Sequence, residues 1–293
     1  MKPRTRKGLS GIRTAVLLTV TLFLIAGCSS TKLAYQYADW GIVWWVDDYI
    51  PMTSEQEAQL EKDVLALRDW HCSKELPRYS EWLTELKQDV RSDNLARARV
   101  VYHQEQLFSF FPPLVEKAKP TATRLLSSLS DDQVGALAAN MEESQVALED
   151  EFLAEEPEQT RAARAKRTAE RVERWMGSLN DAQTETVQRW SDDRGRQTEI
   201  WLEGRRNWQE ALLASLDDRS SSTFPDTVDH LIDNNDQVRG SRYQQMMAES
   251  RPAMADLMTS LLAQADPQQL DYLLEQAASL RSDFNTLACT DDR

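Results

Sequence analysis

Glycine is scarce in this chain, nine residues in 293, and three of the nine (Gly8, Gly11, Gly27) lie before residue 28. So few glycines argue against a turn-rich sheet protein, because tight turns draw on the positive φ angles that glycine adopts freely. Histidine and cysteine are scarcer still, at three each. His71, His103 and His230 stand far apart, none in an HExxH or comparable spacing, and no nucleophile elbow or glycine-rich phosphate loop occurs. The sequence therefore names no catalytic residue, no metal site and no cofactor, and an enzyme is not expected. Basic residues are outnumbered, 34 Lys and Arg against 48 Asp and Glu, for a net charge of −14. That balance argues against nucleic acid or an anionic lipid surface as the main partner, since phosphate groups are held by an excess of positive charge.

What is present begins with an address. Lys2, Arg4, Arg6, Lys7 and Arg13, with no acidic residue among them, precede the apolar run AVLLTVTLFLIA, Ala15 to Ala26. Its 12 residues fall short of the roughly 20 that a spanning helix needs, which is a secretory signal layout. The string LIAGC, Leu24 to Cys28, resembles the lipobox of bacterial lipoproteins. That resemblance implies removal of residues 1–27, acylation of Cys28 (palmitate and similar chains), and anchoring to a membrane by several chains rather than one. Ser29 directly after the cysteine resembles the sorting pattern for the outer membrane, so the body is expected to face the periplasm. Cys72 and Cys289 then remain as the possible partners of one disulfide in an oxidising compartment. Such a bond closes a loop of over two hundred residues and is worth on the order of 4 to 5 kcal/mol in the chain-entropy model.

Beyond Pro51 the apolar spacing is helical nearly to the end. Three stripes stand out: Val134, Leu137, Met141, Leu148, Phe152; Ala165, Ala169, Val172, Met176, Leu179; and Leu270, Leu273, Leu274, Ala277, Phe284. Helix starts are marked by Thr53 with Gln56, Ser130 with Gln133 and Asn180 with Gln183, each an N-cap three residues before a glutamine, and by Asp266 before Pro267. Pro77, Pro112, Pro113, Pro120, Pro157 and Pro252 are expected to bend or end helices. The expected fold is all-α, a single irregular bundle of roughly eight helices with proline kinks. Its parts are a signal (1–27), an anchor with an aromatic first segment (28–51), a helical domain (52–288) and a short tail (289–293). Soft boundaries are placed near 157 and at 217–226, where DDRSSSTFPD is polar and turn-rich.

Several features point toward binding. Tyr35, Tyr37, Trp40, Trp44, Trp45 and Tyr49 crowd into 15 positions shortly after Cys28. Such a helix is most simply core; it also suits a membrane interface, where amphipathic rings gather, or a partner groove, with Trp40, Trp44 and Trp45 as the first candidate contacts. Asp39, Asp47 and Asp48 argue against deep insertion. An acidic block, Glu149 to Glu158, turns at Pro157 into a basic one, Arg161 to Arg174, a pattern that sets the register of a helical hairpin by pairing across it. Met246, Met247, Met254 and Met258 suit core packing and, less directly, Cu(I) or apolar clients. Trp190, Trp201, Trp208 and Leu212 form a further stripe, with Gly204 permitting close helix approach.

The lipobox, LAYQYADWGIVWWVDDY, the start at Thr53 and DWHCSKELPRYSEWL (Asp69 to Leu83) together resemble an uncharacterised family of helical Gram-negative lipoproteins, a domain of unknown function. The resemblance implies an address and a helical fold and no activity. MTSEQ, LSDDQ and LNDAQ are similar to the LTxxQ motif of small periplasmic chaperones. The function expected from all this is a non-enzymatic, outer-membrane-anchored interaction or chaperone-like module with an envelope protein partner. The competing class is an envelope hydrolase whose carboxylates meet only in the fold.

Overall fold

The computed structural model describes residues 29–289. The signal segment and Cys28 lie outside the described residues, as do the last four. All regular structure is helical, and no strand occurs among the described residues. In chain order the helices are α1 (Ser29–Gln36), α2 (Ala38–Tyr49), α3 (Ser54–Trp70), α4 (Leu76–Arg91), α5 (Arg97–Ser109), α6 (Phe111–Ser127) and α7 (Asp131–Phe152). They continue with α8 (Pro157–Met176), α9 (Asp181–Asp193), α10 (Gln197–Ser215), α11 (Phe224–Asp233), α12 (Asn235–Val238), α13 (Ser241–Ala263) and α14 (Pro267–Leu287).

The count exceeds the roughly eight expected because short breaks, such as those at Tyr37, Arg196 and Asn234, divide stretches whose apolar spacing reads as continuous. Proline behaves differently from expectation at two places. Pro77, Pro112, Pro113 and Pro157 sit in first turns, where a missing N–H costs nothing, but Pro120 and Pro252 lie inside α6 and α13 without ending them. Both are exposed, so the carbonyl each leaves without a helical partner lies on the solvent side, where water can satisfy it. Pro77 has a further effect. A single π-helical turn, His71–Glu75, joins α3 to α4, with the Leu76 N–H reaching back to the His71 carbonyl just before the residue that has no donor.

Two apolar clusters anchor the bundle. One gathers Ile50, Leu129, Leu137, Leu216, Phe224 and Val228, with Val134 and Met141 against it. The other gathers Ala165, Val172, Met176, Val187, Leu257 and Leu261 and takes in Ala169 and Leu179, so the second stripe enters the core entire. Met254 and Met258 pack there too, and Met246 is buried, which accounts for three of the four clustered methionines as core. Gly204 is needed where α10 meets α13: a Cβ there would stand 2.6 Å from the Tyr243 ring.

Four glutamines tie the helix starts together in pairs. The capping boxes at Thr53, Ser130 and Asn180 form as expected, and Asp266 makes a fourth with Gln269. Each glutamine then uses its remaining capacity on a glutamine of another box. Gln133 Nε2 donates to Gln56 Oε1 at 2.6 Å and to the Pro51 carbonyl at 3.0 Å, while Gln56 Nε2 donates to the Ser128 carbonyl and to Gln133 Oε1. Gln183 and Gln269 exchange the same reciprocal bonds at 3.0 and 2.9 Å and reach the Leu261 and Ser178 carbonyls. Both protons and both lone pairs of each amide are thereby used.

The acidic and basic blocks do not pair across their hairpin. Glu158 pairs within its own turn with Arg161, Arg167 stacks on Phe152 at 4.4 Å, and Glu149 reaches Arg206 on α10. Buried Arg164 is held instead by Ser191, Thr198 and the Gly195 carbonyl, binding α8 to the α9–α10 turn. Helix α14 runs back along α4, and there Cys289 forms the expected disulfide with Cys72.

Candidate functional site

The segment that follows Cys28 is built against the body by its polar atoms. Lys32 pairs with buried Asp283 at 3.3 Å, and Asp39 with Arg68 at 3.4 Å. The Tyr35 hydroxyl lies 3.3 Å from the Arg68 carbonyl and 3.1 Å from His71 Nδ1. Burial drives the Tyr35 hydroxyl up to about 12, so it stays protonated and able to donate. Asp47 accepts from the Met52 N–H at 2.9 Å, Tyr49 donates to Ser144 at 2.8 Å, and Asn140 donates to the Tyr49 carbonyl. Ile50 then enters the first apolar cluster.

The apolar residues of the same segment face the other way. Leu33, Tyr37, Trp40 and Trp44 follow one another at spacings of four, three and four, a single helical stripe, and all four are exposed; Trp40 reaches 69%. Trp45 and Ile42 flank them, also exposed, and the Trp40 and Trp44 rings stack with centroids 6.4 Å apart. Helix α2 buries no residue fully. An ordinary surface helix turns carbon inward and charge outward; this one does the reverse. The segment is thus core only at its end, where Val46, Tyr49 and Ile50 join the first cluster, and its three tryptophans are not; of the three acids held to oppose insertion two are turned to the body, leaving only Asp48 exposed.

A second exposed apolar group stands at the α5–α6 corner: Leu107, Phe108, Phe111 and Val115. A file of rings connects it to α1, from Tyr35 to His71 (5.7 Å), Tyr79 (5.5 Å) and Phe110 (4.4 Å). Arg78 and Arg251 lie over Phe110 and Phe108 there.

The other sequence candidates scatter. Cys72 is spent in the disulfide, so His71 has no thiol beside it and faces Tyr35 instead. His230 is exposed and bonds to Asn234, the residue that caps its helix. His103 was invisible as a site because its partner is fourteen residues away on α4: its Nε2 lies 2.8 Å from Asp89, both buried. Burial raises the Asp89 pKa, but hydrogen bonds from Asn94, Arg99 and His103 outweigh it and hold the carboxyl below its ordinary range. Arg99 also binds Glu85, so the carboxylates that converge here converge on a guanidinium. Two shallow hollows of about 190 and 230 Å3 lie between α10 and α13, lined by Asp193, Arg194, Gln197, Glu203, Arg239 and Arg242, with Arg242 and Glu203 paired at 2.6 Å. Among the described residues no helix is long and apolar enough to cross a membrane, and no group of three or more His, Cys, Asp or Glu is placed to hold a metal ion.

The model of a family of unknown function (DUF6279) matches residues 48–244, more than half of the chain. No curated protein and no solved structure matches.

Proposed function

The chain belongs to this family of unknown function, which assigns it no reaction, and we propose from its own surface that it is an outer-membrane-anchored periplasmic lipoprotein that acts by contact rather than catalysis. In this reading it is an interaction or chaperone-like module of the envelope. The observation that carries the reading is the outward stripe beginning five residues after the lipobox cysteine. Carbon of this extent left in water opposes folding, and proteins retain such a patch where something covers it. Trp40, Trp44 and Trp45 are the contacts, and Cys28 is the tether that keeps them at one envelope surface.

A photo-reactive residue at position 40 or 44 in intact cells tests this, with Cys28→Ser as the untethered control. Adducts to an envelope component that disappear in the control are expected. A stripe that captures nothing would sink the proposal, and a broad spread of unfolded envelope proteins would mark the chaperone form of it.

A further inference from the structure

Resting on the reading of Cys28 as a lipid anchor, we infer that the component covering the stripe is the lipid surface itself. Helices α1 and α2 lie along the membrane, in its headgroup region, and fix how the body sits on it.

Continuity of the chain is the first argument. The anchor cysteine directly precedes Ser29, the first residue of α1. At 1.5 Å per residue, Trp44 is at most about 24 Å along the helices from the anchor, so a segment standing upright would carry its tryptophans well away from the lipid while one lying flat keeps the whole stripe in it. Polarity is the second. A carboxylate drawn toward the acyl region is costly, and here Asp39 is committed to Arg68 and Asp47 to the Met52 N–H, both on the body side. Lys32 is likewise committed, to Asp283. Between Leu33 and Trp45 no exposed charged residue interrupts the stripe; Asp48 marks its end.

Side-chain chemistry is the third argument. Tyrosine and tryptophan carry an apolar ring with a polar tip, the combination that settles where acyl chains give way to headgroups. The depth required is modest, about 5–10 Å, and asks for no spanning helix. The α5–α6 corner is the fourth: its exposed Leu107, Phe108, Phe111 and Val115 adjoin Phe110, which is three ring contacts from Tyr35 in α1, so a second apolar patch lies near the first helix. Arg251 stacks over Phe108 there, with its guanidinium 5.0 Å from the ring centroid. The opposite side of α2 stays held to the body by Tyr49, Asn140 and Ile50, so the stripe can be covered by lipid without leaving the fold.

Full-length protein recovered from envelope membranes tests the inference. Wild type and a W40F/W44F/W45F variant are reconstituted into vesicles of phosphatidylethanolamine with a minor share of phosphatidylglycerol, with and without bromine on the acyl chains. Phenylalanine preserves the apolar stripe and removes only its three indoles from the nine in the chain. Brominated lipid is expected to quench wild-type emission, and most of that loss is expected to vanish in the variant. Quenching that is absent, or equal in the two proteins, overturns the inference, as does cross-linking of positions 40 and 44 to protein alone. If the tether reading is wrong the protein is recovered soluble instead, and the same difference signal, read after mixing it with the vesicles, still decides the matter.

Discussion

The two glutamine junctions make the same hydrogen bonds in different surroundings. At the first, Gln133 is buried but Gln56 is half-buried and Thr53 and Ser128 are exposed, so water reaches one side of the junction. At the second, Gln183 is fully enclosed and Gln269 nearly so. A paired amide adds little over its hydration, but an orphaned one in a dry place carries the whole desolvation cost. The second junction is therefore expected to hold the bundle and the first to aim it. Helix α14 makes the contrast sharper, because it starts at the enclosed junction and ends against the disulfide.

Freeing the far end of α14 should have the largest effect. Cys289→Ser removes a loop closure across 217 residues and is expected to cost about 5 kcal/mol in the chain-entropy model, roughly 10 °C in Tm, with wild type under reducing conditions matching the variant. Gln183→Ala frees the near end, strands the Asn180 N–H and half of Gln269, and leaves the Leu261 carbonyl with the Gln264 N–H alone, for an expected loss of about 3 kcal/mol in denaturant unfolding. Gln56→Ala should cost only about 1 kcal/mol in the same assay; equal losses from the two would abolish the distinction between the junctions. Acidification gives the smallest effect. Burial lowers the His71 pKa, with Glu75 pulling it partly back. The unfolded chain then binds the proton first as pH drops below about 6.5, so stability is lost from there down to the folded pKa and regained on raising the pH. An NMR titration of His71, with unfolding of His71→Gln that is flatter over the same interval, checks it.

Helix punctuation was legible in the sequence because a cap and its glutamine are three residues apart and obey local geometry. What the glutamines do next was not, since Gln183 meets Gln269 only after α9 and α14 have been brought head to head. The disulfide followed from counting thiols. The His103–Asp89 pair and the rerouting of Glu149 to Arg206 depend on tertiary placement that spacing does not encode. The aromatic segment is the instructive case. Its composition allowed core, membrane or partner, and only the ion pairs of Lys32 and Asp39 with distant residues decide which face turns outward. Gly204 was read correctly, as a close approach, because a lone glycine among large side chains has few other uses.

The cystine also carries information about the history of each molecule. A ribosome makes Cys72 long before Cys289, and through that interval the earlier thiol has no mate on the folded pattern. A chain broken off anywhere before Cys289 can never be closed, however well its first helices pack. Covalent closure is thus a record of completeness: a population sorted by oxidation state is sorted, at the same time, into finished and unfinished copies.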